Sequence, residues 1–442
     1  MSRTRNRIKT WLEVLPRPIG GVFKHIPYSW RLGPEYERLK NEISIFSGLG
    51  DAEKQCRVLK LLQRAVRDAY DDNEFYRDYY SAKGFNPDVL KEFSDIAKIP
   101  IVTRSELQRI DIDQRSSQVS DRMLINTGGT SGQPLSFYTD KNAFAREWAH
   151  MHWIWSRLGY KQTDLKLTFR GKDLGNDTLR YNPVHNEYIV NHYKPFSEQA
   201  NYIEKIADKV KYIHGYPSAI YAFMKYCRND NTAFLNKLKK NLKGVLLGSE
   251  YPAPIYRDLI DETLNVPSTS WYGHSEMAVL AYEEEKNVYV PMHTYGFCEA
   301  IKDDRGQYHL TGTSYYNNAS PFIRYDTGDI VEPEFNDGLL QSFKISSGRT
   351  GDFIKDKNGQ DISLTALIFG RHHPLFNWAE FVQVSQEEDG KATIHISTDK
   401  DETGLHPEND FNTENVAIDF EYQIRQTPYS TPAGKVPLLI QE

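Results

Sequence analysis

The spacing of apolar positions changes along the chain, and each change marks an element. From Val58 to Tyr70, the residues Val58, Leu61, Leu62, Ala65, Val66 and Ala69 recur at steps of three and four, which gathers them on one face of a helix. Helical spacing returns around Ile203 to Val210. Between such stretches LKLTF (Leu165 to Phe169) alternates apolar and polar residues, and GVLLG (Gly244 to Gly248) is a short apolar run of the kind that a buried strand supplies. Strands separated by helices predict a largely parallel sheet. From Val288 onward the pattern becomes strand-rich, with YHLTGT, PFIRYDTGD and LQSFKI set apart by Asp, Asn and Gly turns. The strands FVQV and ATIHI follow, with a polar loop near 400 to 415. No fixed-period repeat occurs, which excludes a solenoid. The pattern predicts an α/β chain: a large N-terminal body of several subdomains with mixed sheets and helices, to about residue 346, and a small α+β domain from 347 to 442. Residues 1–94 read as a helical lead-in to the body.

A chain of 442 residues has room for a large core without disulfides or metal. Lys and Arg number 54 against 60 Asp and Glu, a net charge of -6, which argues against binding nucleic acid through a basic surface. Cys56, Cys227 and Cys298 are odd in number and far apart, so neither a disulfide framework nor a thiolate cage is indicated and a reducing cytoplasm is expected. The first residues are basic (Arg3, Arg5, Arg7, Lys9), with Ile8, Trp11, Leu12 and Leu15 interleaved. They read as a lead-in packed on the body, with a weak peripheral membrane contact as the alternative.

The richest stretch chemically is INTGGTSGQPLSFYTD, Ile125 to Asp140. Gly128, Gly129 and Gly132 free the backbone of Cβ atoms, and Thr127, Thr130 and Ser131 offer hydroxyls, so the loop suits a polyphosphate held in a nest of N–H groups. A plain Gly/Ser/Thr turn between strands is the competing reading. It is not the phosphate loop of kinases and GTPases, because Gln133 and Pro134 follow Gly132 where Lys and Ser or Thr would stand. Three further stretches follow: WYGHSE (Trp271 to Glu276), FIRYDTGD (Phe322 to Asp329, read as a strand ending on Asp) and SGRTGDFI (Ser347 to Ile354).

In this order these stretches resemble the adenylate-forming superfamily of acyl-coenzyme A synthetases, adenylation domains and luciferases. The phenylacetate-coenzyme A ligase branch and related proteins of capsular polysaccharide clusters are most similar, through IPIVTRSEL (Ile99 to Leu107), HGYPSAI (His214 to Ile220), GSE (Gly248 to Glu250) and PAGKV (Pro432 to Val436). The resemblance spans about 95 to 442. It implies that 95–346 is the adenylate-forming core and 347–442 a mobile lid with its hinge at Asp352. It further implies ATP and Mg²⁺ as cofactors, with coenzyme A as one acceptor. Thr127, Gly128, Gly129, Thr130, Ser131 and Gly132 would hold the β- and γ-phosphates. Gly248, Ser249, Glu250, Tyr272 and Gly273 would line the adenine pocket, and Asp329 and Arg349 would meet the ribose. Glu276, with Thr130, would coordinate Mg²⁺. Lys435 would bridge substrate carboxylate and α-phosphate, making Lys435, Glu276 and Arg349 the catalytic group. His214, Tyr216 and His274 would line the acyl pocket. The chain departs from the pattern at Leu135, where many relatives carry Lys, at Ser275 for Thr, at Gly351 before Asp352, and after Lys435, where no basic residue follows.

Rival chemistries fail on spacing. GHSEM has Met277 where a hydrolase elbow needs Gly, and no G-x-G-x-x-G follows the first strand. His150 with His152, and His372 with His373, lack partners at metal-ligand spacing and read as packing residues. The expected function is ATP-dependent activation of a small carboxylic acid, with acyl transfer to coenzyme A or to a sugar intermediate of a surface polysaccharide. A non-catalytic scaffold with the same fold, in a polysaccharide assembly complex, is the alternative.

Overall fold

The computed structural model describes residues 20–126, 135–170, 174–191, 194–347, 353–359, 361–368, 373–413, 416–430 and 436–440. The N-terminal element around Ile8 to Leu15 lies outside them, as does His372. Helices occupy Pro34–Ser47, Asp51–Asp72 and Glu74–Ala82 at the start, and the predicted face of the second is buried at Val58, Leu62, Ala65, Val66 and Ala69. Among the described residues no helix is long and apolar enough to cross a membrane.

Strands β1 (Met123–Asn126) and β2 (Ser136–Thr139) pair antiparallel and flank the glycine-rich loop. The central sheet then forms from β3 (Lys166–Phe169), β4 (Leu179–Asn182), β5 (Glu187–Val190), β6 (Tyr212–Gly215), β7 (Gly244–Leu247) and β8 (Ser268–Thr269), in the order β4-β5-β3-β6-β7-β8. All its pairs are parallel except β4 with β5, as the alternation of strands with helices predicted. The helix expected around Ile203 to Val210 lies earlier, at Phe196–Glu204, with a short 3₁₀ turn at Ala207–Lys209. Its apolar residues still face the sheet: Ala200, Ile203, Ala207 and Val210 pack with Leu167, Phe169, Ile213, Val245 and Leu247 and the helices Pro217–Asp230 and Pro254–Leu264.

The opposite face of this sheet is polar and still buried. Lys166 and Thr168 alternate with Leu167 and Phe169, yet neither reaches water, because the aromatic-rich helix Ala143–Ser156 covers them. The Lys166 ammonium donates to the Tyr160 hydroxyl and the His185 carbonyl, at 3.3 and 3.1 Å, and faces the Glu187 carboxylate at 3.7 Å. Burial pulls its pKa down to about 8, while Glu187 draws it back up. His150 and His152, on the same helix, are buried packing residues; His152 Nδ1 lies 2.8 Å from the Tyr36 hydroxyl.

A seven-stranded antiparallel sheet follows, built from β9 (Trp271–Gly273), β10 (Leu280–Glu285), β11 (Val288–Pro291), β12 (Gly296–Lys302), β13 (Tyr308–Ser314), β14 (Tyr325–Asn336) and β15 (Leu339–Ser347). Its order is β12-β13-β14-β15-β11-β10-β9, and Tyr289, Leu310, Val331, Leu340 and Phe343 pack within its curve. The C-terminal segment contains the hairpin β16 (Phe353–Lys355) and β17 (Asp361–Ser363), then β18 (Phe381–Glu388), β19 (Lys391–Ser397) and β20 (Asp419–Arg425). β19 and β20 run parallel, joined through the polar stretch expected as a loop, which holds a short helix at Pro407–Asp410. This segment rests on the body: Phe381 packs edge-on against Tyr221, and Lys225 pairs with Glu380 at 3.3 Å.

The junction of β3 and β6 is tight enough to test. A Cβ on Gly215, whose φ is +144, would meet the Phe169 carbonyl oxygen at 1.8 Å. One on Gly248 would lie 2.2 Å from the Trp271 ring. Gly215→Ala is therefore expected to lose roughly 3 kcal/mol or more of stability, because backbone must move. Gly248→Ala should lose about 1–3 kcal/mol, because a side chain can yield. Denaturant unfolding of both variants checks the order.

Candidate active site

The carboxyl ends of parallel strands are where open α/β sheets bind ligands. Here β6 ends on Gly215 and β7 runs into Gly248, whose N–H donates to the Gly215 carbonyl at 3.0 Å. The Tyr216 N–H donates to the Phe169 carbonyl at 2.9 Å, and the helix Pro217–Asp230 starts directly after it. Glu250 closes that helix end: its carboxylate accepts from the Ser218 N–H at 3.2 Å and hydroxyl at 2.6 Å. A carboxylate at a helix N-terminus is favoured by the orphan N–H groups there. The Trp271 ring stacks over His214, with centroids 5.9 Å apart, and brings β9 onto these strand ends.

From β9 the chain presents Tyr272, Gly273, His274 and Glu276. Glu276 is 3% exposed and receives two side-chain hydrogen bonds: His274 Nδ1 lies 3.0 Å from Oε2, and the Tyr325 hydroxyl donates to Oε1 at 3.2 Å. Asp329, 5% exposed, accepts from the Tyr272 hydroxyl. Burying a carboxylate is costly unless such donors replace water. The Tyr272 ring is itself buried, edge-on to Phe343 at 5.5 Å. In the ladder order β9 stands four steps from β14, roughly 19 Å in a flat sheet at about 4.8 Å per strand. The direct contact between Tyr272 and Asp329 therefore requires the sheet to curl until the two strands meet, which also brings Tyr325 to Glu276 in the turn after β9.

The local backbone is shaped for this meeting. The expectation that a strand ends on Asp329 is corrected: β14 begins at Tyr325 and carries Asp329 within it. Thr311 pairs with Asp326 and His309 with Ile330, so Thr327, Gly328 and Asp329 stand opposite Leu310 alone, as a bulge. Gly328, at φ +78, makes the turn, and Thr327 pins it by donating to the Leu310 carbonyl at 2.8 Å. Among the described residues, the non-glycine residues with positive φ are Asn or Asp except for three, Ser249 (+68), Met277 (+56) and Arg324 (+48). Those three flank Gly248, Glu276 and Tyr325. Strained backbone concentrated in this way marks a site that the surrounding structure holds in place.

Thus Gly248, Ser249, Glu250, Tyr272, Gly273, His274, Glu276 and Asp329 converge, with His214 and Tyr216 beside them. Thr127, Gly128, Gly129, Thr130, Ser131, Gly132, Arg349, Asp352 and Lys435 lie outside the described residues. Two neighbours of some of these are placed: Leu135 is buried at the start of β2, and Val436, next to Lys435, packs on the body's core cluster. Sequence reasoning misses Tyr325, which sits unremarked inside a quoted motif. It also misses Glu147, on the helix Ala143–Ser156, which no motif marks. Burial pushes the Glu147 carboxyl above the usual range, against the pull of the Tyr295 hydroxyl and of His274.

Among the described residues no group of three or more His, Cys, Asp or Glu is arranged to hold a metal. Glu276 supplies one hard oxygen ligand, which suits Mg²⁺ that arrives with a nucleotide's phosphates and keeps most of its water. Asp329 offers acceptors for sugar hydroxyls.

No protein-family model matches the chain. Protein CapK of Staphylococcus aureus is 21% identical over 393 residues, 82% of this chain and 86% of that one. Phenylacetate-coenzyme A ligase of Aromatoleum evansii is 37% identical over 59 residues, 13% of each chain. A crystal structure of 2-hydroxyisobutyryl-CoA ligase in the postadenylation state superposes with a TM-score of 0.66 at 16% identity, covering 89% of this chain and 90% of that one. The chain has the fold of the adenylate-forming ligases.

Proposed function

We propose that this chain activates a carboxylic acid with ATP. A carboxylate oxygen attacks the α-phosphorus, pyrophosphate leaves, and the acyl-adenylate then passes its acyl group to an acceptor with release of AMP. One observation carries the reading: two buried carboxylates, Glu276 and Asp329, each held by a tyrosine hydroxyl, in a fold shared with a ligase bound to an acid–AMP adduct. Asp329 binds the ribose hydroxyls, with Arg349 as their second partner. Gly248, Ser249 and Gly273 shape the adenine slot beside Tyr272, and Thr127 to Gly132 wrap the β- and γ-phosphates. Glu276 and Thr130 would hold Mg²⁺, which when bound would draw charge off the leaving pyrophosphate. The chain's own groups position and stabilise charge, as phosphorus transfer requires. Lys435 neutralises the carboxylate and α-phosphate once the 347–442 segment closes about Asp352. His214, Tyr216 and His274 line the acyl pocket.

The acceptor is coenzyme A or a sugar amine or hydroxyl in a cytoplasmic step of surface polysaccharide synthesis. The likeness to Protein CapK along most of both chains supports the polysaccharide setting, and the short match to a phenylacetate-coenzyme A ligase supports the thioester.

Acid-dependent exchange of labelled pyrophosphate into ATP, over a panel of aryl, aliphatic and amino acids, tests the reading. Exchange with no acid on the panel would favour the scaffold alternative. Glu276→Gln keeps shape and removes charge, so exchange should fall steeply with folding spared. A rate within about threefold of the parent, roughly 0.7 kcal/mol of barrier, would contradict the metal assignment.

Lys435→Ala should slow adenylate formation by roughly 100-fold or more, the scale of other lost electrostatic stabilisers, with ATP affinity nearly unchanged. Transfer from a preformed acyl-adenylate should survive, because that step has already lost the pyrophosphate. Rapid-quench measurement of each half-reaction separates the two, and equal loss in both would contradict the role.

A further inference from the structure

The helix Ala143–Ser156 lies along the polar face of the central sheet, and its stripe Glu147, Met151, Trp155 spans about 12 Å at 1.5 Å per residue. Glu147 stands beside His274, hence at the end where Glu276 lies. It is half-buried, and its carboxylate accepts from the Tyr295 hydroxyl. At the other end Trp155, His214 and Trp271 form a triangle of rings, with centroids 5.0, 5.9 and 5.9 Å apart. Trp271, like Glu147, is only half-buried.

Two polar atoms in that triangle are buried and have no hydrogen-bond partner: Trp155 Nε1 and His214 Nδ1. Trp155 is 1% exposed and His214 7%. A buried polar atom left without a partner keeps the cost of its lost hydration. Two from facing elements, at the carboxyl end of a parallel strand, mark a place completed by something from outside. The chemistry of that something is restricted. An indole N–H can only donate, so the missing partner brings an acceptor. Burial, then Arg170 and Lys166, hold the His214 imidazole neutral, so it can donate or accept as the partner needs. The same two cations, against the single carboxylate of Glu187 among the groups acting on His214, favour electron-rich oxygen.

We infer that the acid carries an oxygen function, a hydroxyl, carbonyl or second carboxylate, at the end remote from the carboxyl being activated, and that Trp155 Nε1 and His214 Nδ1 read it. The inference rests on the acid-activating function and narrows its substrate from any carboxylic acid to an oxygen-substituted one. A site that hydrogen-bonds a substrate group rejects the analogue without it, because its own polar atoms are then left unpaired.

The test compares matched acids in the same protein: 4-hydroxyphenylacetate against phenylacetate, 4-hydroxybutyrate against butyrate, and glutarate against valerate. Pyrophosphate exchange and calorimetric binding of each acid are both measured, in the parent, Trp155→Phe and His214→Phe. In the parent, at least one oxygen-bearing member should lead its partner by roughly tenfold to a hundredfold in kcat/KM and in affinity. In the variants that ratio should fall towards one; because it is a ratio within one protein, a general loss of activity cancels. Turnover of both members without preference, or a preference that survives both substitutions, would overturn the inference and leave acid activation standing. Selective binding of the oxygen-bearing acid, lost in the variants but without exchange, would support the inference and count against acid activation. Failure of every acid to bind would overturn both.

Discussion

Two carboxylates, Glu276 and Asp329, are largely withdrawn from water, and much of the surrounding architecture makes that tolerable. The Tyr272–Asp329 hydrogen bond joins strands that stand four places apart in one sheet, and the Tyr325–Glu276 bond ties the same strand β14 to the turn after β9. A buried carboxylate without donors would take up a proton or unfold its surroundings. The tyrosines therefore do two things together: they satisfy both acids, and they hold the seven-stranded sheet in its curl. The bulge at Thr327 to Asp329 and the positive φ values at Ser249, Met277 and Arg324 follow from the same demand. Arg324 is anchored by Glu299 at 3.2 Å and by the carbonyls of Ala97 and Ile99, so the strained turn before Tyr325 cannot relax.

The central sheet shows a second use of buried polarity. Its helix-covered apolar face is an ordinary core, while the face under Ala143–Ser156 holds Lys166, Glu187, Thr168 and His214. The first three are bonded among themselves and their neighbours; Thr168 donates to Glu187 at 2.8 Å, and so does Asn182 at 3.0 Å. A network satisfied in that way rigidifies its surroundings. The unpartnered atoms of Trp155 and His214 stand together at its margin, their rings 5.0 Å apart at the carboxyl end of β6.

Much of this architecture is legible in the amino-acid sequence. The helix at 58–70, the buried strand at 244–248 and the parallel rhythm follow from periodicity, because one-sided burial imprints a period on sequence. The glycine-rich, WYGHSE and FIRYDTGD stretches point to Tyr272, Glu276 and Asp329, and the structure gathers those three. Alternation in LKLTF, however, cannot show that the polar side of that strand is buried, since covering by a distant helix leaves no local mark. The bulge at Asp329 also escapes: Asp-Thr-Gly reads as a turn, and only pairing with Leu310 turns it into a loop within a strand. Tyr325 and Glu147 are invisible for a related reason, since their partners lie 49 and 148 residues away along the chain.

The central claim is that the space bounded by Gly248, Tyr272, Glu276 and Asp329 holds an acyl-adenylate. A crystal structure of the full chain with a non-hydrolysable acyl-sulfamoyl adenosine tests it most directly. The account predicts ribose hydroxyls on the Asp329 carboxylate, adenine against the Gly248 to Glu250 turn, and the acyl group running along Glu147, Met151 and Trp155 towards His214. A ligand bound elsewhere, or an Asp329 carboxylate that touches only Tyr272 while the ribose lies in solvent, would contradict it.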